Sequence, residues 1–175
     1  MSQFKRLFIV STIFELMWFL AVVGRDTWQW LTIVLVVIIV LGTAYREHFD
    51  WRAWLLLSVI GVCIDSINLK IGLLAFDTAF LPLWLIALWA VFCWYALFLG
   101  KALSHYPLWI VSIVGGLAGA LSYIAGLKLG AVSLGFSLPV AFVLFFSQWV
   151  AFVFLCMKIV NVGAKHNEDN KDKLA

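Results

Sequence analysis

Six long apolar segments, separated by short polar stretches, follow one another along the chain. They occupy residues 7–24, 28–44, 53–75, 81–103, 107–129 and 134–160. Each segment has roughly the 20 apolar residues that a helix needs to cross a bilayer, and each is too long for a barrel strand. The pattern predicts an all-α, polytopic membrane protein that forms a compact bundle of six transmembrane helices.

The six segments form one predicted transmembrane domain, residues 1–164. The remaining residues, 165–175, carry closely spaced charges of both signs. A segment of this composition cannot bury enough apolar surface to order itself, so it predicts a disordered cytoplasmic tail.

The composition is that of a chain surrounded by lipid. Hydrophobic residues make up 65% of the 175 residues. Charged residues make up only 12%, about half the share of a soluble domain. Too few polar side chains remain to cover a surface in water, which excludes a soluble enzyme, a disordered protein and a nucleic-acid-binding protein. The partner that the composition predicts is the lipid bilayer.

The positive charges predict the orientation of the bundle. With the N-terminus inside, nine of the 12 Lys and Arg residues lie at inner helix ends or in the tail. The other three, at outer ends, are Arg25, Lys70 and Lys128. Inner loops of membrane proteins are enriched in Lys and Arg, so this bias predicts that both termini lie in the cytoplasm.

The chain lacks the short motifs of common catalytic and metal sites. It contains no HExxH, GxSxG, P-loop or CxxC pattern. Its three cysteines, Cys63, Cys93 and Cys156, all lie in apolar segments and are interpreted as small buried hydrophobic residues. We therefore expect no metal site and no cofactor, and the sequence assigns no catalytic residue.

Three polar side chains are predicted near the middle of the membrane. Glu15, Asp65 and Gln148 lie close to the centres of the first, third and sixth segments. A charged side chain at this depth costs roughly 2.5–3.5 kcal/mol on insertion scales, so such residues are usually functional or firmly paired. No Lys, Arg or His lies at the same depth in the sequence to neutralise the two carboxyl groups.

The polar residues at this depth predict a shared ligand site near the membrane midplane. The candidate ligand-binding residues are Asp65, Glu15, Asn68, Gln148, Tyr123 and Trp89. Two interpretations remain open for the acids: a ligand or proton-coupling site, or neutral hydrogen-bonded struts between helices. The aromatic residues of segment 81–103 are interpreted in two ways as well, as pocket lining or as core packing.

Small residues recur at helical spacing in the third and fifth segments. One face of the third segment carries Ser58, Gly61, Asp65, Asn68 and Gly72. A matching series with the same spacing, in which Ser112 is the counterpart of Ser58, consists of Ser112, Gly115, Gly119, Ser122 and Gly126. The candidate packing glycines are Gly61, Gly72, Gly115, Gly119, Gly126 and Gly130. The pattern predicts a close contact between these two helices, with an inverted repeat of three plus three helices as the alternative.

Several motifs occur in an order that resembles a known family. They are Phe14–Phe19, Gly61 with Asp65-Ser66 and Gly72, Leu81–Trp89, and Gly115–Gly130 with Ser122-Tyr123. They are similar, over nearly the whole chain, to the bacterial inner-membrane family designated domain of unknown function 2878. The resemblance implies a multi-pass protein of a bacterial inner (plasma) membrane, encoded near lipid-modifying enzymes. It implies no reaction and no catalytic residue. Since it also implies Gln where this chain has Glu15, Asp65 is the better candidate for a function shared by the family.

Three functions agree with these patterns. The preferred one is binding or transport of a small lipophilic molecule through a midplane polar site, because ionisable residues inside a membrane usually mark such sites. The second is an integral-membrane enzyme, or an accessory subunit, in lipid (fatty-acid) modification, with Asp65, Tyr123 or Glu15 as acid/base groups. The third is a structural partner that docks another membrane protein through its glycine faces.

Overall fold

The structure, a computed structural model, describes residues 3–172, with side chains for residues 4–160. Within these residues it contains five helices and two short strands. In chain order they are α1 (Gln3–Arg46), α2 (Trp51–Lys70), β1 (Leu74–Ala75), α3 (Leu83–Leu103), α4 (Leu108–Lys128), β2 (Ser133–Leu134) and α5 (Leu138–Asp172). Each of the five helices contains an apolar stretch long enough to cross a membrane. The all-α class and the multi-pass membrane character predicted from the sequence are confirmed.

Helix α1 contains both the first and the second predicted helices. Its backbone leaves helical geometry at one residue, Arg25, where φ is 45° and ψ is −132°. Arg6 and Glu47, which lie near opposite ends of α1 in sequence, form an ion pair. The chain therefore reverses at Arg25, and the two halves of α1 lie side by side. Because the reversal takes a single residue, the two antiparallel helices are continuous and are counted here as one element, α1. The described residues therefore contain five helical elements, and the six crossings stay a prediction.

Helix α3 lies at the centre of the bundle. It packs along α1 and contacts α2 and α5, while α4 packs along α5. Trp94 Nε1 of α3 donates a hydrogen bond to Thr43 Oγ1 of α1 at 2.9 Å. Trp54 Nε1 of α2 donates to the carbonyl oxygen of Ala90 in α3, also at 2.9 Å. Indole N–H groups away from water need an acceptor, so these two bonds fix α3 against both neighbours.

Helices α2 and α4 end in the same way. Gly72 after α2 and Gly130 after α4 have φ values of 77° and 69°. After α2, the amide of Leu73 donates to the carbonyl oxygen of Asn68 at 2.8 Å. After α4, the amide of Ala131 donates to the carbonyl oxygen of Gly126, also at 2.8 Å. This Schellman-type ending favours glycine because a positive φ strains residues that carry a Cβ atom. The recurrence of the same ending, followed each time by a short strand and a helix, identifies an internal repeat.

The repeating units are α2–β1–α3 and α4–β2–α5, and their strands meet at an approximate local two-fold axis. Ala75 of β1 pairs antiparallel with Ser133 of β2, and Ser133 follows Ala75 by the same interval by which Gly130 follows Gly72. Equivalent residues meet in this way only where a two-fold axis passes between them. Because α2 and α4 both end at this sheet, they run in the same direction.

This repeat differs from the one that the small residues predict. The counterpart of Gly72 is Gly130 in the structure, whereas the matching series in the sequence pairs Gly72 with Gly126. The units are parallel hairpins of two helices, unlike an inverted three-plus-three repeat. The register of the small-residue series is therefore corrected, and the inverted three-plus-three repeat stays an alternative prediction from the sequence.

The last helix extends beyond the last predicted segment. Its backbone is helical to Asp172, within the predicted tail of residues 165–175. Residues 173–175 lie outside the described residues. The disorder and the cytoplasmic location of the tail stay predictions.

Candidate functional site

Asp65 lies inside the bundle at the centre of a hydrogen-bond network. Its side chain is fully buried. Tyr123 Oη of α4 donates to Asp65 Oδ1 at 2.6 Å, and Trp89 Nε1 of α3 donates to Oδ2 at 2.7 Å. Asn68 Nδ2, one turn further along α2, donates to Oδ1 at 3.3 Å. One carboxyl group therefore joins α2, α3 and α4.

A reciprocal pair of amides extends the network to α5. Asn68 Nδ2 donates to Gln148 Oε1 at 2.9 Å, and Gln148 Nε2 donates to Asn68 Oδ1 at 2.8 Å. Among the described residues, every buried side-chain nitrogen and oxygen has a hydrogen-bond partner. A polar network of this kind rigidifies a core when all its members are paired, whereas unpaired members cost free energy. Hydrogen bonds within the protein therefore already use the polar groups of Asp65, Asn68 and Gln148.

Two stacked aromatic pairs hold the donors of this network. Trp89 lies against Trp149 of α5, with ring centroids 5.3 Å apart and planes 12° from parallel. Tyr123 lies against Phe145, with centroids 4.3 Å apart and planes 13° from parallel. The stacks orient Trp89 Nε1 and Tyr123 Oη toward Asp65. Asp65 and Tyr123 themselves occupy equivalent positions of the two units.

Glycines of α2 and α4 make room for the two indoles. A Cβ atom at Gly61 would overlap the ring of Trp89, and a Cβ atom at Gly119 would overlap the ring of Trp149. These glycines therefore face bulky side chains on α3 and α5. The spacing of these glycines predicts a close contact between α2 and α4, and this prediction is wrong. Gly61 contacts an indole of α3, and Gly119 contacts an indole of α5.

The other candidate packing glycines have different surroundings. Gly115 faces α5, and its Cβ position would lie 3.0 Å from a methyl group of Val153. Gly72 and Gly130 serve the helix endings through their positive φ. Gly126 is buried in α4, yet no neighbouring atom lies within 4 Å of its Cβ position. Gly126 therefore faces open space inside the bundle.

That space is a cavity of about 740 Å³ between α1, α3, α4 and α5. Ten of its 33 lining residues are aromatic, and most of the others are aliphatic. The aromatic ones are Phe14, Trp18, Trp84, Trp89, Phe92, Tyr95, Tyr106, Tyr123, Trp149 and Phe152. Lining residues on α1 and α4 are exposed, including Glu15, Val114 and Leu121. The cavity therefore opens to the surface between these two helices.

A hydrogen bond joins α1 to the end of α4 at one end of this opening. Arg25 Nη2, in the turn of α1, donates to the carbonyl oxygen of Leu129 at 2.9 Å. Leu129 is the C-cap residue of α4, where carbonyl groups lack an intrahelical partner. The bond therefore ties the α1 turn to α4 beside Gly130.

The cavity divides the six candidate ligand-binding residues into two groups. The first group lines the cavity and consists of Glu15, Trp89 and Tyr123. The second group belongs to the network behind Trp89 and Tyr123 and consists of Asp65, Asn68 and Gln148. Trp89 and Tyr123 connect the groups, because each contributes to the cavity wall and donates a hydrogen bond to Asp65. The network thus determines the position of part of the wall.

Several residues of the cavity wall carry no distinctive sequence signal. Trp149, Phe152 and Cys156 line the cavity at spacings of three and four residues along α5. The same spacing is typical of any helix face that packs into a core. Trp18, one turn after Glu15, is equally typical of a membrane helix. Sequence periodicity therefore identifies these residues as inward-facing without separating a cavity wall from a packed core.

The described residues contain no evident ligand set for a metal. Among them, no three His, Cys, Asp or Glu side chains are grouped as metal ligands. The expectation that the protein uses neither metal nor cofactor stays a prediction from the sequence.

A family model matches most of the chain. Residues 7–155 match the family described as "Protein of unknown function (DUF2878)". No curated protein and no solved structure match the chain. The matched region includes the Asp65 network and nearly all of the cavity wall. The protein therefore belongs to the DUF2878 family, as the order of its sequence motifs predicts.

Proposed function

We propose that the protein binds a small lipophilic molecule in the cavity between α1, α3, α4 and α5. The cavity itself is the observation that supports this function. Its volume of about 740 Å³ falls within the roughly 300–1,000 Å³ typical of small-molecule sites. Aromatic walls provide large, flat surfaces for dispersion contacts with a ring or an acyl chain.

The opening between α1 and α4 supports access from the lipid phase. Glu15, Val114 and Leu121 lie at this opening, well inside the apolar stretches of their helices. In a membrane, such a position faces the bilayer and not the water. A ligand dissolved among the lipids would therefore reach the cavity laterally. In this proposal Asp65 orients Trp89 and Tyr123 and does not touch the ligand.

Filling the cavity is expected to reduce binding. Gly126→Leu places a side chain in the open space that Gly126 faces, without a close neighbour at the Cβ position. The purified protein in lipid nanodiscs is photolabelled with a neutral alkyl alcohol that carries a diazirine, and the labelled residues are mapped by mass spectrometry. We expect labelling of cavity residues on α4 and α5, and several-fold less labelling in Gly126→Leu.

The matched control is Gly42→Leu. Gly42 is also a helical glycine with no atom within 4 Å of its Cβ position, and it does not line the cavity. This variant should be labelled like the wild type. Equal labelling of the cavity residues in Gly126→Leu and in the wild type would contradict a ligand site in the cavity.

We also infer that the chain crosses a bacterial inner membrane six times, with both termini in the cytoplasm. Each half of α1 has roughly the 20 residues that a crossing needs. The ion pair between Arg6 and Glu47 supports two crossings in opposite directions, since it joins the two ends of α1. Arg25, Lys70 and Lys128 lie at the opposite end, where Arg25 contacts Leu129 and the two strands pair. This end carries only these three of the 12 Lys and Arg residues, so we expect it to lie on the outer side of the membrane.

Cysteine accessibility tests this orientation. In a variant whose native cysteines Cys63, Cys93 and Cys156 are replaced, Asp26→Cys should react with a membrane-impermeant maleimide in intact cells. His48→Cys should react only after the cells are permeabilised. If both positions react from the same side, the two halves of α1 do not cross the membrane separately.

A further inference from the structure

We propose that the cavity selects lipophilic organic cations over anionic molecules of the same shape, with Glu15 of this chain as the charged contact. This inference rests on the proposed ligand-binding function of the cavity. It adds the sign of the ligand's charge and the residue that recognises this charge.

Among the residues whose side chains the structure describes, 4–160, Glu15 is the single charged one that lines the cavity. It lies near the middle of the first half of α1, far from both ends of the crossing. Among the described side chains, none forms a hydrogen bond or an ion pair with it. A carboxylate at this depth is costly unless a positive charge accompanies it. No Lys, Arg or His of residues 4–160 lines the cavity to provide that charge, so a cationic ligand would provide it.

The side chains around Glu15 fit the same ligand class. Phe14 stacks on Tyr95 with ring centroids 4.7 Å apart, and Trp18 follows Glu15 by one helical turn. All three rings line the cavity. The faces of aromatic rings attract cations, and quaternary ammonium groups are commonly recognised by several such faces together. An anion of the same shape would meet the Glu15 carboxylate and the negative faces of these rings, and no described side chain of the cavity wall would offer it a positive charge.

The test uses two ions of nearly the same shape and opposite charge, tetraphenylphosphonium and tetraphenylborate. Each is titrated separately into the purified full-length protein by calorimetry, and each is tested for its ability to block photolabelling of the cavity by the neutral alkyl alcohol. We expect the phosphonium to bind more tightly than the borate and to block the labelling. Glu15→Gln, which keeps the shape of the side chain and removes its charge, should weaken phosphonium binding about tenfold.

Two further variants serve as controls. Glu15→Asp retains the charge and should retain the preference for the phosphonium. Asp77→Asn removes an exposed carboxylate that does not line the cavity, and it should bind both ions like the wild type.

The possible outcomes separate this inference from the proposed function. If the borate binds as tightly as the phosphonium, or if Glu15→Gln binds the phosphonium like the wild type, the cation preference is wrong. In that case a Gly126→Leu variant that still loses the neutral label would leave the ligand-binding cavity in place. If Gly126→Leu is labelled like the wild type, the proposed function fails, and the cation preference fails with it.

Discussion

Replacing Gly119 by leucine is expected to prevent the protein from folding. A Cβ atom at this position would already overlap the ring of Trp149, and leucine adds three further carbon atoms. The indole is held by a stack on Trp89 and by contacts with Phe92 and Phe152, so a shift of the ring would break these contacts. Overpacking of a core typically costs about 1–3 kcal/mol, and more where the neighbours cannot shift. We expect low yield and an aggregated profile in size-exclusion chromatography of the detergent-solubilised protein.

The control for this prediction is Gly126→Leu in the same helix. Gly126 lies two turns after Gly119, and no atom lies within 4 Å of its Cβ position. This variant should be purified like the wild type, so the two leucine substitutions differ only in what the new side chain meets. A Gly119→Leu protein with wild-type yield and melting temperature would contradict the contact between α4 and Trp149.

The membrane class of the fold follows from the sequence because it depends on apolar length alone. The predicted segment 81–103 corresponds to Leu83–Leu103, and 107–129 corresponds to Leu108–Lys128. The reversal inside α1 takes a single residue, Arg25, and involves no proline. Strands β1 and β2 have two residues each, which is too short for any periodic signal. Features that depend on one or two residues therefore emerge only from the three-dimensional structure.

The sequence predicts the inward face of α2 but not its neighbours. The small and polar spacing around Asp65 and Asn68 predicts that both point into the bundle, and both are fully buried. The same spacing does not reveal which helix the glycines contact. Gly61 therefore pairs with Trp89 and not with α4. Periodicity defines a face on one helix, whereas the side chain that fills it comes from a packing arrangement that no single segment encodes.

The repeat also illustrates this limit. Matching Gly61 with Gly119, instead of with Gly115, also matches Asp65 with Tyr123. Aspartate and tyrosine share no property that a comparison of residue types would detect, yet they occupy equivalent positions and bond to each other. The glycines that end α2 and α4 are the clearer signal, because their positive φ restricts the residue type at each helix end.

Replacing Asp65 by alanine is expected to destabilise the folded protein by roughly 2–6 kcal/mol, since each buried donor left unpaired costs about 1–3 kcal/mol. The two donors are Trp89 Nε1–H and Tyr123 Oη–H, which both lose their acceptor. Asn68 keeps its two bonds to Gln148 and adds little to the loss. Equilibrium unfolding in mixed micelles measures the change. Ser66→Ala is the control, because the Ser66 hydroxyl is exposed and bonds only within α2.

Asp65→Asn separates the hydrogen bonds of this side chain from its acidity. The asparagine oxygen can accept from Trp89, and its amide can donate to Tyr123 Oη, which is both donor and acceptor. We therefore expect a smaller loss of stability than in Asp65→Ala. Because Asp65 does not line the cavity, photolabelling of Asp65→Asn should stay close to the wild-type level. A stable Asp65→Asn protein that loses the label would assign the carboxyl to ligand binding. An Asp65→Ala protein as stable as the wild type would show that the network does not hold α2, α3 and α4 together.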